Sequence, residues 1–403
     1  MSVIARNATL LLTETRQLTS AAHRAAVDSL SPGLRHMAGY HAGWWDVSGN
    51  AASTPGKAIR PAFTLACARA VGGCDPPAAI PVAVAVELVH DFSLLHDDVM
   101  DGDLTRRHRP SAWTVFGTGQ AILLGDAMLA LAVEQLDDAG ATRVLADAVR
   151  DLCEGQSADV AFESRSRVDV SECLAMVEGK TGALLGAACQ LGAMAAGLSA
   201  SSAVPYRVFG RELGLAFQLV DDLLGIWGDP AVTGKPAGSD LASRKKSLPV
   251  VFALCSDTEA GSDLAAAYAA EANLDTGYAA GLIEAAGGRA WARSEADRRT
   301  AAALQALTVA APTPAGAADL HTLASLITRR DSLTDAGTSA PPAVDRRRPA
   351  RSWRGARTGI SCCVLCERSG LHEAPSCMSW AAAGTWRARR FRSGTHGRRT
   401  TRP

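Results

Sequence analysis

The chain has 403 residues, 47% of them hydrophobic and only 5% aromatic, and its 41 Lys and Arg balance 41 Asp and Glu. That balance is a cancellation, because from Pro341 onward there are 14 Arg, no Lys and three acids, a charge of +11, which leaves −11 on residues 1–340. Such a composition excludes disorder for the larger part, and a chain rich in Ala and Leu with few aromatics is expected to be helical, not a β-sandwich or barrel.

The first amphipathic helix is expected over residues 4–30, stopped at Ser31-Pro32-Gly33. Its leading apolar stretch is about five residues and is broken by Thr13, Glu14 and Arg16, so it does not read as a signal peptide. Gly56 to Val71 and Ala78 to Met100 come next as helices, then Gly119 to Asp137, 141–167, 171–199 and 204–227. Gly228 to Ser243, with Pro230, Gly234, Pro236 and Gly238, reads as a loop. Further helices are expected over 245–255, 258–272, 276–287, 290–309 and 315–331, and no strand alternation of useful length competes. Thr181 to Tyr206 carries no charge and is long enough to span a membrane, but Gln190, Pro205 and a run of Gly and Ala point to a helix buried in a protein core. Six cysteines scattered singly through the acidic part read as reduced thiols of a cytoplasmic protein.

Two constellations carry chemistry. In Leu94-Leu95-His96-Asp97-Asp98-Val99-Met100-Asp101, Asp97 and Asp101 share one helix face and Asp98 lies about 100° round. Like charges at the end of an apolar run need a cation, and carboxylates without thiolates suit Mg2+, which keeps waters and shares phosphate oxygens. The plainer alternative is a solvated acidic helix end, and nearby bases weaken it. Arg106, Arg107 and Arg109 come soon after Asp101, while Lys57 and Arg60 stand one turn apart before the preceding helix. Carboxylates for Mg2+ together with Arg and Lys suit a diphosphate, whose charge needs both. The second constellation, Phe217-Gln218-Leu219-Val220-Asp221-Asp222-Leu223-Leu224-Gly225, again closes an apolar helix with an acidic pair, and Lys235 and Arg244-Lys245-Lys246 stand after it.

The stretches GKAIRP, ELVHDFSLLHDDVMDGDLTRR, GDAML, GQSADV, KTGALL, FQLVDDLLGIWGD and GKPAGSDL resemble the trans-isoprenyl diphosphate synthase (polyprenyl synthetase) family, in order, over about residues 20–331. The resemblance implies an all-α fold, a single large helical bundle around a central cavity, in a domain of residues 1–335. It implies a homodimer that condenses isopentenyl diphosphate with allylic diphosphates (dimethylallyl, geranyl, farnesyl) using about three Mg2+ ions. Asp97, Asp98 and Asp101 match the first aspartate-rich motif and Asp221 and Asp222 the second, so all five are expected to bind metal. Lys57, Arg60, His90 and Arg107 match the isopentenyl diphosphate pocket. Arg106, Lys180 and Lys235 match the clamp on the allylic diphosphate, and Thr181 and Gln218 match positions beside the nascent cation. Gly225 departs from the pattern, standing where a third Asp is common, and weaker metal affinity is expected from it. His96 reads as structural. Phe92, five before Asp97, with the small Ser93 beside it, resembles the floor of short-chain synthases stopping at about C20, which implies geranylgeranyl diphosphate first and farnesyl diphosphate second.

A terpene cyclase on the same scaffold is the nearest rival, and Lys57, Arg60, His90 and Arg107 argue against it because a cyclase needs no isopentenyl diphosphate pocket. A metal phosphohydrolase leaves the second Asp pair unexplained, and a regulatory subunit would not keep the first motif intact. Residues 336–403 read as a disordered or frameshifted extension, since Arg without Lys is expected of a GC-rich frame translated out of register. The rival there is a zinc site from Cys362, Cys363, Cys366, His372 and Cys377 beside a nucleic-acid arm, but the spacing gives no second matching pair. No nucleic acid and no stable membrane insertion are expected.

Overall fold

The computed structural model describes residues 6–52, 56–72, 77–229, 238–270 and 274–328. Lys235, the expected linker and the Arg-rich tail with its cysteines lie outside them. The chain divides into a unit 1–338 and a unit 339–403, and only the first contains described residues.

Sixteen α-helices are described: α1 (Ala8–Asp28), α2 (Pro32–His41), α3 (Ile59–Gly72), α4 (Ala79–Met100), α5 (Ala112–Phe116), α6 (Thr118–Glu134), α7 (Ala139–Ser164), α8 (Val170–Val177), α9 (Ala183–Ala195), α10 (Val204–Trp227), α11 (Ser239–Ala242), α12 (Leu248–Leu254), α13 (Glu259–Ala269), α14 (Thr276–Ala285), α15 (Gly288–Ala310) and α16 (Pro314–Thr328). A π turn, Glu178–Gly182, joins α8 to α9, and two strands of two residues each, β1 (Thr105–Arg106) and β2 (Arg109–Pro110), pair antiparallel.

Polar caps set the helix starts. The Asn7 side chain accepts from Leu10 N at 2.8 Å to begin α1, and Asp138 accepts from Ala141 N at 2.7 Å to begin α7. Asp169 and Glu172 form a reciprocal capping box at α8. Pro32, Pro205 and Pro249 stand in the first turns of α2, α10 and α12, where the missing N–H costs nothing. The helix expected over 4–30 therefore ends at Asp28, and Ser31-Pro32-Gly33, read from sequence as a stop, is also the start of α2.

Three further expectations are corrected. The helix expected over 171–199 is interrupted by the π turn and ends at Ala195, so the uncharged stretch from Thr181 to Tyr206 is not one helix; Ala183 through Ala193 are all buried in the core. A short hairpin stands at 105–110 with Arg107 and His108 both at positive φ (52° and 61°), the two-residue turn that usually takes Asn-Gly or Asp-Gly. The loop expected over 228–243 contains α11.

Helix α4 is apolar on most faces from Val82 to Val89 and lies in the core, packed by α3, α6 and α9. It is the one helix among the described residues long and apolar enough to cross a membrane, and 67% of its apolar window is buried in protein. Helix α10 packs along α9 and α15. Its C-terminal end and that of α4 are where the two acidic motifs fall.

Candidate active site

The chemistry of the cleft begins with one cation between two carboxylates. The π turn carries Lys180, whose Nζ lies 2.7 Å from Asp159 Oδ2 on α7 and 4.0 Å from Asp97 Oδ2 at the end of α4. An i+5 turn inserts one residue and rotates the next stretch of helix about its axis, a feature frequent at functional positions. Close approach makes it possible here: a Cβ on Gly155 of α7 would collide with the backbone N of Lys180. Thr181, next in the turn, donates from Oγ1 to Gln218 Oε1 at 3.2 Å.

Gln218 is fixed in turn by Asp222. Its Nε2 donates to Asp222 Oδ1 at 2.9 Å, and Leu248 N, in the first turn of α12, donates to Asp222 Oδ2 at 3.0 Å. Burial pushes the Asp222 carboxyl up to about 6 against these donors and the nearby Lys245. With both oxygens accepting bonds at 3% exposure, Asp222 braces Gln218 and α12 in this structure. Asp221, one position earlier, is exposed and is the outward carboxylate of that motif.

In the first motif, Asp97 is half-buried and pushed up to about 6 by burial, with Lys180 opposing and Asp101 reinforcing. Burial also raises Asp101. Asp98 is 1% exposed: its Oδ1 accepts from Arg106 Nε at 2.8 Å and from Arg106 Nη2, while its Oδ2 is buried without a hydrogen-bond partner among the described residues. Arg106, expected on the allylic diphosphate, is therefore engaged with Asp98, and also lies 3.5 Å from Asp103. Carboxylates whose charge burial disfavours, beside one with an orphaned oxygen, fit a divalent cation, which would favour their charged forms. Among the described residues no group of three His, Cys, Asp or Glu side chains is placed to hold a metal ion by protein ligands alone.

The basic wall stands apart from this cleft. Arg60, in the first turn of α3, has its Nε buried without a partner among the described residues, and Lys57 before it is exposed. Arg107 places its guanidinium against Gly56, so a Cβ there would crowd it. Burial and the Arg60 charge push His90 well below its ordinary value, which keeps the ring neutral. Phe92 is buried, with its ring 4.8 Å edge-on from His96, and His96 Nε2 lies 3.0 Å from Ile122 O on α6. That contact ties His96 to α6.

Sequence reasoning gave no role to Asp159 or Asp240 and placed Lys245 only in the basic run after the second motif. Asp159 stands in GQSADV and could have been paired with Lys180 only by knowing that α7 and the π turn touch. Asp240 explains Gly225: a Cβ at 225 would run into the Asp240 carboxylate, so the space in which a third aspartate would start is occupied by an acid from α11.

Residues 46–281 match the family described as Polyprenyl synthetase. A geranylgeranyl diphosphate synthase of Mycobacterium tuberculosis is 49% identical over 320 residues, 77% of this chain and 90% of that protein. A (2E,6E)-farnesyl diphosphate synthase of Mycobacterium bovis is 47% identical over 322 residues, 77% of this chain and 89% of that protein. A crystal structure of a polyprenyl synthetase from Streptomyces coelicolor A3(2) superposes with a TM-score of 0.76 at 46% identity, covering 80% of this chain and 99% of that one.

Proposed function

The chain belongs to the polyprenyl synthetase family, and from that premise we propose that it joins isopentenyl diphosphate head to tail with allylic diphosphates and stops at geranylgeranyl diphosphate. It is a prenyltransferase acting on isoprenoid diphosphates. The observation that carries the substrate reading is the pairing of acidic helix ends and their Lys180 bridge with a separate basic wall, in which the Arg60 Nε has no acceptor among the described residues.

Asp97, Asp98 and Asp101 of the first motif and Asp221 of the second would hold Mg2+, about three ions by family resemblance. When bound, Mg2+ supplies positive charge to the departing diphosphate. Lys180 adds a fixed cation there, and Lys245 lines the same cleft. Lys235, outside the described residues, is assigned the same task. Arg106 contributes by holding Asp98 in place.

As the allylic C–O bond breaks, positive charge develops on the allylic carbon. The oxygens of Thr181 and Gln218, oriented by Asp222, are preorganised dipoles for that charge. Lys57, Arg60, His90 and Arg107 hold the second diphosphate, with His90 kept neutral as a hydrogen-bond donor. The double bond of isopentenyl diphosphate supplies the electron pair for the new C–C bond. A proton then leaves the adjacent carbon for the released diphosphate, so no side-chain base is required.

Relatives of nearly equal identity carry different product names, so farnesyl diphosphate is the second reading. The buried Phe92 beside Ser93 supports the C20 limit. Residues 1–335 are read as the catalytic domain of a cytoplasmic homodimer, and exposed Ile122, Leu123 and Val133 on α6 offer an apolar face for the second subunit.

The test is incubation of the purified full-length protein with Mg2+, isopentenyl diphosphate and each allylic diphosphate, with products identified by mass spectrometry. Geranylgeranyl diphosphate is expected from all three, and failure to consume isopentenyl diphosphate overturns the reading. Phe92→Ala should lengthen the product, and an unchanged profile removes Phe92 as the floor.

A further inference from the structure

Behind the basic wall lies a group of buried titratable side chains that the condensation does not use. Asp91 of α4 is 2% exposed. His41, the last residue of α2, puts Nε2 3.5 Å from Asp91 Oδ1, and His23 of α1 puts Nε2 3.6 Å from Asp91 Oδ2. The other groups that face Asp91 are Glu87 and His90 on its own helix, Arg60 on α3 and Arg107 in the turn after β1. A cavity of about 380 Å3, separate from the cleft between the acidic motifs, opens onto His23, Glu87, Asp91 and Arg107.

A carboxylate this deeply buried is retained only if neighbouring charge and hydrogen bonds compensate it. Burial opposes its ionisation, and His41, His23 and Arg107 together overcome that and hold the carboxyl below its ordinary value. Its partner at i−4, Glu87, does not fare as well. Burial and then the Asp91 charge push Glu87 up to about 7, against Arg60 and Arg107. The Asp91 charge is thus felt by both arginines of the basic wall.

The element that carries His41 is also tied to the hairpin that carries Arg107. Tyr40 donates from its hydroxyl to Pro110 O at 2.8 Å. Arg109 donates to Tyr40 O at 3.3 Å and to Trp45 O at 2.9 Å, and its guanidinium lies 4.3 Å over the Tyr40 ring. Helix α2 therefore grips the Arg107 turn from one side and Asp91 from the other. Arg107 needs such support, since it and His108 hold a left-handed backbone that side-chain-bearing residues rarely adopt.

We infer that Asp91, in contact with His23 and His41, is a positioning residue for the isopentenyl diphosphate pocket: through His41 it holds α2, which in turn holds the hairpin that carries Arg107, so that the N-terminal helix pair governs affinity for the second substrate without touching it. The inference rests on the reading of Lys57, Arg60, His90 and Arg107 as that pocket. It predicts a defect in one kinetic constant. Asp91→Asn in the full-length enzyme should raise KM for isopentenyl diphosphate about tenfold, a loss typical of one charge-assisted contact, with kcat and the KM for farnesyl diphosphate within about twofold.

Two further readouts separate positioning from general damage. His41→Leu should reproduce the KM defect, while His41→Gln, which can turn an N–H toward Asp91, should restore most of it. Removing the Asp91 charge should also lower the Glu87 pKa, so the protein-borne inflection in the KM profile against pH moves to lower pH in Asp91→Asn. If Asp91→Asn does not fold, the two His41 variants carry the same comparison. Wild-type turnover with a KM for isopentenyl diphosphate unchanged in Asp91→Asn and His41→Leu, or a loss confined to kcat, overturns the inference alone. A wild-type protein that never consumes isopentenyl diphosphate overturns the pocket reading instead.

Discussion

Gly225 leaves room for the Asp240 carboxylate, so the absent third aspartate of the second motif is a matter of packing as well as of charge. An aspartate installed there would place its Cβ inside the Asp240 side chain and add a like charge beside it. Gly225→Asp is therefore expected to lower Tm and the Mg2+ dependence of turnover together, in contrast to a gain of metal affinity. A Mg2+ titration of activity beside a thermal melt decides between the two. Glu87 gives a pH signature at the same scale. Its folded-state pKa of about 7 lies above the ordinary carboxylate value of 4.5, so the charged form is disfavoured by folding and stability falls as pH rises through that interval. Glu87→Gln should raise Tm at pH 8 and leave it unchanged at pH 5, and equal melting curves at both pH values would contradict the assignment.

The π turn is the element on which the cleft depends. Regular α-helix through Glu178–Gly182 would rotate Lys180 and Thr181 by about 100° relative to α9 and part them from Asp159 and Gln218. The turn is seated against Gly155, where a methyl group would meet the Lys180 backbone. Gly155→Ala should cost about 1–3 kcal/mol of stability and lower kcat more than either KM, measured by denaturant unfolding and steady-state rates. Equal folding free energy with unaltered kcat would show that the π turn adapts without consequence. The hairpin at 105–110 works differently. Its Arg107-His108 turn departs from the favoured Asn-Gly, and the bonds from Tyr40 and Arg109 hold it in place.

At the scale of the whole molecule, the described bundle closes on itself. Arg6, before α1, donates from Nε to Asp319 Oδ1 of α16 at 3.1 Å, and Asp319, 3% exposed, also lies 3.5 Å from Arg69 Nε of α3, so the two ends of the bundle are pinned by a partly buried ion-pair group. All members of that group belong to the unit 1–338, as does every site residue named. A chain ending at residue 338 is expected to keep its Tm, its kcat and a dimer mass by analytical ultracentrifugation. Loss of dimer or of turnover in the truncated chain would assign the Arg-rich segment a part in the enzyme.

Much of the protein is readable along the chain. Apolar runs closed by Asp97-Asp98-x-x-Asp101 and Asp221-Asp222 announce their helices and their chemistry, because helical periodicity and the cost of clustered like charges are both local in sequence. Composition likewise determined the helical class and divided −11 from +11. Tertiary structure alone decided which acids brace and which face the cleft. Asp222 and Asp221 are neighbours in the chain, yet one accepts bonds from Gln218 and Leu248 while the other is exposed. The Lys180 bridge to Asp159, the Asp240 acid against Gly225 and the His23–Asp91–His41 group each join residues far apart in the chain. Their energies come from burial and from distances of a few ångströms, quantities that exist only once the helices have packed.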